Sequence, residues 1–234
     1  MGKNLTFIKT QIFFVKSIFK ILGIVLAFLS LTSCFDIIDK IHLKADGSGE
    51  YSLVLNASKS KTRLESISKM ETINGKNVPK KSEIEAKVSA AANAFKTTPG
   101  ISNVKTSLDF DNYIVKLSCN FKKIENINSG LEKLKAKNII GKMVPTQLYS
   151  FQGKSFSKNK FNTFKTDYEK LSKADKEIFN NAKYASIVQF ELPIKTQSNS
   201  AYQISPNKKA IKLEGNILDF ILQKKQLQNS VLFQ

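Results

Sequence analysis

The sequence contains few of the residues on which most catalytic and metal sites depend. Of its 234 residues, one is histidine and two are cysteine, and tryptophan is absent. A single histidine excludes a site built from several, and the chain holds no HExxH, CxxC, GxSxG or glycine-rich phosphate-loop motif. We therefore expect a protein that is not an enzyme and that has no cofactor and no metal ion. A hydrolase that uses carboxylates alone stays open, although Asp109 and Asp111 flank a predicted turn and fit turn formation better.

Acidic residues are also scarce, since 19 of them face 37 basic ones and the formal net charge is +18. A large positive charge favours partners such as anionic lipid headgroups, acidic glycans or nucleic acid. The lysines are scattered along the chain, and the wealth of Lys, Asn, Ile and Phe also suits translation of an AT-rich genome. Both interpretations of the charge remain open at this point.

No apolar run is long enough to cross a membrane, which takes about 20 residues. The longest run, Ile21 to Leu31, follows a start that contains lysines and no acid, and it ends at Leu31-Thr32-Ser33-Cys34. This order predicts a secretory signal peptide over residues 1–33 that is removed before Cys34.

Leu31, Thr32, Ser33 and Cys34 resemble the lipobox of bacterial lipoproteins. The resemblance implies transfer of diacylglycerol to the Cys34 sulfur, cleavage before it, and acylation of the new amino terminus, for example by palmitate. An ordinary signal peptide or an uncleaved anchor with a chance cysteine is the alternative. After cleavage, residues 34–234 carry a net charge of +14, and Cys119 is left as a lone thiol that cannot form an internal disulfide.

Two hairpins are predicted from alternating apolar residues on either side of turn residues. The first joins Ile37–Leu43 to Tyr51–Leu55 around the Asp46-Gly47 turn. The second covers Val104–Phe121 with a two-residue turn at Asp111-Asn112, which pairs Leu108 with Val115, Thr106 with Leu117 and Val104 with Cys119, and its parity places Cys119 on the buried side. Lys40 and His42 fall on the polar side of the first hairpin, where we expect the His42 side chain to be solvated.

Helical spacing and strand alternation complete the fold prediction. Two capping boxes, Ser82 to Glu85 and Thr166 to Glu169, are expected to start helices. The predicted helices are 56–70, 82–95, 124–134 and 166–182, and the later strands are 184–192, 210–214 and 227–233, with a polar linker after Pro193. The pattern predicts a single α+β domain over residues 34–234, with a curved antiparallel sheet built from hairpins and helices packed on one face.

The segment from Ile139 to Lys165 is harder to assign. It contains a predicted strand pair around Gln152-Gly153, followed by aromatic residues among lysines: Phe156, Phe161 and Phe164 with Lys154, Lys158, Lys160 and Lys165. Such a pattern is typical of a hairpin held to the core by its rings, or of a surface that stacks nucleobases or enters a membrane interface. The role of this segment stays open.

The order of elements resembles that of uncharacterised lipoproteins of the Bacteroidota and, more distantly, the LppM-like domain of actinobacterial lipoproteins. The residues that carry the resemblance are Leu31 to Cys34, Asp46 to Tyr51, and Val188 to Pro193 with the strands after it. For the LppM-like domain it implies a curved antiparallel sheet with helices on one face and a lipid or glycolipid ligand. It transfers no ligand-binding residue to this chain.

These observations together predict a cell-envelope lipoprotein of non-catalytic binding or envelope-maintenance type. We expect its lysines to bind the anionic head of an envelope lipid or glycolipid, and the apolar sheet face or the Phe156 to Phe164 segment to bind the tail. The alternative is an assembly protein that docks on another envelope protein through an exposed edge such as Leu227–Phe233. Nucleic acid would suit the positive net charge of the chain, but it does not fit the cell envelope, so we expect no nucleic-acid partner. Phe35 and Asp36 after the cysteine favour the outer membrane, with the domain facing the periplasm.

Overall fold

The computed structural model describes residues 35–73, 75–140, 144–160, 164–177 and 179–234. The predicted signal peptide and the lipobox residues Leu31, Thr32, Ser33 and Cys34 lie outside the described residues, as do Asn74, Phe161 and Ile178. Residues 33–234 are assigned to one compact unit.

Strands dominate the described chain. In chain order they are β1 (Asp36–Leu43), β2 (Gly49–Asn56), β3 (Thr72–Ile73), β4 (Lys76–Asn77), β5 (Ile101–Asp109), β6 (Ile114–Phe121), β7 (Tyr149–Gln152), β8 (Ser155–Lys158), β9 (Lys183–Phe190), β10 (Ile194–Gln197), β11 (Gln203–Ile204), β12 (Ala210–Asn216) and β13 (Asn229–Phe233). The helices are α1 (Lys61–Ile67), α2 (Lys81–Lys96), α3 (Glu125–Ala136), α4 (Phe164–Glu169), α5 (Lys173–Glu177) and α6 (Ile217–Ile221), and a 3-10 turn covers Ser58–Ser60. The predicted α+β class is therefore confirmed.

The strands form two main sheets. The larger sheet has the order β11-β12-β9-β1-β2-β6-β5, and the smaller one has the order β10-β13-β8-β7. A short third sheet pairs β3 with β4. Neighbouring strands are antiparallel except for β1 and β9, which run parallel. Parallel strands cannot be joined by a tight turn, and here β2 to β8 lie between β1 and β9 in the chain.

One face of the larger sheet is buried under α2, α3 and the smaller sheet. Residues of all these elements share one core, including Phe95 of α2, Leu131 of α3, Val188 of β9 and Phe156 of β8. Gly130 lies in the middle of the apolar stripe of α3, where a Cβ would come within 3.0 Å of the Phe95 ring, so the absence of a side chain lets the two helices approach. Among the described residues, no helix is both long and apolar enough to span a bilayer.

Both predicted hairpins are confirmed. In the first, Ile41 is registered with Tyr51, and Gly47 takes the positive φ of +82° that the turn requires. In the second, Leu108 pairs with Val115 and Thr106 with Leu117, as predicted. The connection is longer than predicted, since the strands end at Asp109 and Ile114. A register shift between Ser102 and Lys105, with Asn103 at φ +50°, also breaks the predicted alignment of Val104 with Cys119.

The two predicted capping boxes are wrong. Helix α2 begins at Lys81 with Lys80 as its N-cap and no side-chain cap, which places Ser82 inside the first turn. The predicted helix 166–182 is two short helices, the first of which already begins at Phe164. The reciprocal pair forms instead at the second helix, where the Asp175 amide donates to Ser172 Oγ and that hydroxyl donates to Asp175 Oδ2.

The C-terminal part also corrects two predictions. The segment after Pro193 is not a plain linker, because it contains β10 and β11. Strand β13 lies inside the smaller sheet, with β10 on one side and β8 on the other. Its backbone groups are already used in both directions, so Leu227–Phe233 offers no free edge for a partner strand.

Candidate functional site

The face of the larger sheet that points away from the core is the first candidate site, and we call it the open face. Successive residues of β1 alternate between the two sides, so Ile41 and Leu43 are buried while Lys40 is exposed and His42 is half-buried on the opposite side. The prediction that His42 lies on the polar side of its strand is confirmed. Among the described residues, no group of three or more His, Cys, Asp or Glu side chains could hold a metal ion.

The half of the open face near the C-terminal end of β1 is polar and basic. It forms a cleft of about 510 Å³ whose lining includes Lys40, Lys105 and Lys116, with Glu50 and His42 registered opposite each other. Serine, asparagine and glutamine side chains fill the places between the lysines: Ser52, Asn103, Ser118, Asn120 and Gln189. Such a lining can hold an anionic group through charge and hydrogen bonds.

A small apolar group, which we call the apolar half, lies beside the basic half toward the start of β1. Ile38 is registered with Val54 on one side and with Ala185 on the other, and Ile187 lies beside Lys40. Polar side chains border this group, because Val54 is registered with Lys116, and Asp36 with Asn56 and Lys183. A second cleft of about 410 Å³ includes Ile38, Ala185, Lys183 and Glu214 in its lining. The open face is therefore amphipathic, with apolar and basic side chains next to each other.

A second candidate is a cluster of polar side chains inside the core, between the two sheets. Asp39 of β1 is 2% exposed and Lys158 of β8 is 1% exposed, and Lys158 Nζ lies 2.5 Å from Asp39 Oδ2. The ammonium also donates to Ser186 Oγ at 2.7 Å and to the Tyr184 hydroxyl at 2.8 Å, so its three protons are all used. We call these residues, with Tyr149, the Asp39–Lys158 cluster.

Tyrosine hydroxyls complete this cluster. Tyr149 and Tyr184 each donate to Asp39 Oδ2 at 2.9 Å. Burial, and next the negative charge of Asp39, raise the pKa of both tyrosines well above the ordinary value, so both remain protonated donors. Among the described residues, Asp39 Oδ1 has no hydrogen-bond partner. The arrangement neutralises a buried charge and ties one sheet to the other.

The predicted strand pair around Gln152-Gly153 is confirmed as β7 and β8. Phe156 points into the core, in agreement with the alternative of a hairpin held to the core by its rings. Lys158 also points into the core, and its contact with Asp39 was not predicted from the sequence. The alternation of side chains along each strand could have predicted that both charges are buried. Asp39 shares its side of β1 with Ile41 and Leu43, and Lys158 shares its side of β8 with Phe156.

The predicted binding place for an apolar tail is also corrected. The apolar side of the larger sheet is covered by helices and by the smaller sheet, and Phe156 is completely buried with its ring against Tyr149 and Phe190. Neither can receive a ligand without unfolding. Phe161 and the side chain of Phe164 lie outside the described residues.

Cys119 is buried on the inner side of β6, as parity predicted. Burial raises the pKa of its thiol to about 12, so only about one molecule in 10⁴ carries the reactive thiolate at pH 8. We expect the folded domain without Cys34 to resist a thiol-specific chromogenic reagent at pH 8 and to react within seconds in denaturant. Rapid labelling under native conditions would show that the thiol is accessible.

The described chain is thus an α+β domain of two packed sheets, with one amphipathic sheet face left open. No protein-family model matches the chain, and no curated protein matches its sequence. Among solved structures, it is similar to the folded domain of the LppM protein of Mycobacterium tuberculosis, determined by NMR. The TM-score is 0.42 and the identity 9%, over 86% of this chain and 89% of that one.

Proposed function

We propose that the protein is a cell-envelope lipoprotein, anchored through acylated Cys34 and acting as a non-catalytic binding module. Its open face binds an anionic amphipathic molecule of the envelope, an anionic lipid or glycolipid. The anchoring membrane in this proposal is the outer membrane, with the domain on the periplasmic side. The observation that carries the proposal is that the open face places an apolar group, Ile38, Val54, Ala185 and Ile187, directly beside Lys40 and Lys116.

The basic half supports recognition of an anionic head. Lys40, Lys105 and Lys116 form no salt bridge within the described residues, and Glu50 is the acid among the residues that line their cleft. An ammonium group without an internal counter-ion keeps its full charge for a phosphate or carboxylate. A volume of about 510 Å³ lies within the range of small-molecule sites, which is roughly 300–1,000 Å³.

The apolar half supports recognition of a tail, and its position fits an anchored protein. Ile38, Val54 and Ala185 lie side by side near the start of β1, and Asp36, the first residue of that strand, is two positions after Cys34. An acyl chain bound here therefore extends toward the bilayer that holds the anchor, while its head meets Lys116 beside Val54 and Lys40 one cross-strand row farther out. This orientation lets the domain take up a lipid from its own membrane.

The test is calorimetric titration of the purified domain, residues 35–234, with lysophosphatidylglycerol below its micelle concentration. We expect the Lys40→Gln/Lys116→Gln variant to bind about tenfold more weakly or worse, because a lysine near an anionic headgroup contributes roughly 1 kcal/mol. Ile38→Ser should weaken binding too, since the side chain would no longer cover the tail with apolar surface.

Matched controls are Lys87→Gln, an exposed residue of α2, and Leu232→Ser, which is 49% exposed on the smaller sheet. Both should bind like the unmodified domain. Equal affinity for the zwitterionic choline analogue, or no loss in either open-face variant, would refute this function for the open face.

A further inference from the structure

The end of the larger sheet opposite to Asp36, the first residue of β1, carries a second group of basic side chains. Six exposed lysines lie there, which we call the distal lysines: Lys122, Lys123, Lys154, Lys195, Lys208 and Lys209. None of them forms a salt bridge within the described part of the chain. The surface salt bridges of that part lie elsewhere, at Lys59–Asp36, Lys61–Glu65, Lys76–Asp175, Lys165–Glu169 and Lys212–Glu214.

Strand register places the first of these lysines at the end of the sheet farthest from the anchor. Strand β1 begins at Asp36 and ends at Leu43, which is registered with Gly49 and with Phe190. Gly49 is in turn registered with Phe121, after which Lys122 and Lys123 follow directly. The Phe190 amide donates to the Lys209 carbonyl at 2.7 Å, which brings Lys209 and its neighbour Lys208 to the same end.

The remaining distal lysines are connected to this end by backbone hydrogen bonds. The Ile194 amide donates to the Lys208 carbonyl at 2.7 Å, and the Phe233 amide donates to the Lys154 carbonyl at 3.0 Å. Ile194 and Phe233 are registered with each other, so Lys195 lies in the same neighbourhood. A cleft of about 520 Å³ lined by Lys123, Asp46 and Gly153 joins the two parts of the group.

Acids at this end are fewer: Glu50 follows Gly49, and three others are held by backbone amides. Asp46 accepts from the Ser48 amide at 2.9 Å, Glu125 from the Phe151 amide at 2.7 Å, and Glu191 from the Ala45 amide at 2.8 Å. These bonds hold loops in place, and none involves a distal lysine. The end therefore presents more positive than negative charge, in a form that a flexible polyanion can approach from outside.

The anchoring membrane is out of reach of these charges. Eight residues of β1 extend over about 26 Å, whereas the screening length at physiological ionic strength is about 8 Å. Phe35 is adjacent to Cys34 and already belongs to the fold, since its carbonyl accepts from the Lys183 amide at 2.9 Å. A link of one residue keeps the start of β1 close to the bilayer, so the distal lysines lie about one strand length away from it when β1 runs along the membrane normal.

We propose that the distal lysines bind an anionic polymer of the cell wall, on the side of the domain that faces away from the anchoring membrane. This inference rests on the anchor at Cys34 given under the proposed function. The protein would then connect its membrane to the wall, with the lipid anchor on Cys34 at one end of the sheet and the polyanion at the other.

The experiment is co-sedimentation of the full acylated chain, in non-ionic detergent, with purified peptidoglycan sacculi. Salt should separate specific charge contacts from other retention, so binding is measured at about 50 mM and about 300 mM NaCl. We expect the variant with Lys122, Lys123, Lys154 and Lys209 changed to Gln to bind about tenfold more weakly at low salt. The control changes Lys69, Lys80, Lys173 and Lys224 to Gln, which removes the same charge at exposed positions outside the distal lysines.

A loss confined to the distal variant supports the proposal. Equal losses in both variants overturn it, because net charge alone would then account for binding. Absence of retention on sacculi also overturns it, as does release of the chain from sacculi by detergent micelles that contain phosphatidylglycerol, which would assign the distal lysines to a membrane lipid. Each of these outcomes leaves the anchor and the open face to their own tests, since sacculus binding in detergent requires neither.

Discussion

Replacing Lys158 by methionine is expected to lower the free energy of unfolding by about 3–5 kcal/mol. The substitution keeps the aliphatic volume but removes the ammonium that neutralises Asp39, leaving a carboxylate 2% exposed with tyrosine hydroxyls as its remaining donors. Breaking a buried pair from one side costs far more than the net strength of the pair, because the surviving charge stays desolvated. Urea denaturation, followed by far-ultraviolet circular dichroism, measures the change.

The matched control is Lys160→Met, two positions later and exposed, where we expect a change within about 0.5 kcal/mol. The double variant Asp39→Asn/Lys158→Met should lose less stability than the sum of the two single variants. An asparagine carries no charge and still accepts from Tyr149 and Tyr184, so the two sites are coupled. Additive losses, or a single Lys158→Met variant as stable as the control, would contradict the role given to this cluster.

The Asp39–Lys158 cluster also marks the limit of what the sequence predicts. The two hairpins follow from local alternation and turn residues, and their central registers agree with the structure. The contact between Asp39 and Lys158 joins residues 119 positions apart, on strands of different sheets, and no local pattern specifies which strands face each other. Parity was enough to place both charges on apolar sides, but not to pair them.

The open face shows the same division between local and distant information. Lys40 and His42 were placed on the polar side of β1 from the sequence. Lys105 and Lys116 lie near them because β1, β2, β6 and β5 are adjacent in that order in the sheet. The register shift near Asn103 could not be predicted from the alternation of polar and apolar residues in β5. The parallel pairing that brings Ile187 beside Lys40 likewise depends on a crossover connection.

Changing Cys34 to alanine is expected to abolish membrane attachment, either by releasing the domain or by stalling an uncleaved precursor. Two or three acyl chains, at about 0.8 kcal/mol per buried methylene, hold a protein on a bilayer effectively permanently, and alanine offers no sulfur for the first of them. Fractionation of cell envelopes, with mass spectrometry of the N-terminal peptide, measures both attachment and processing.

Cys119→Ala is the matched control for this experiment, because it removes the other thiol of the chain from a buried site. We expect that variant to stay in the membrane fraction with Cys34 acylated, at the cost of a small loss of packing. The two results together distinguish a lipid on Cys34 from a general effect of losing a cysteine. If the Cys34→Ala protein remained in the membrane fraction as a processed chain, the anchor would be wrong. The orientation argued for the apolar half and for the distal lysines would then lose its basis, whereas the binding measured on either surface would stand.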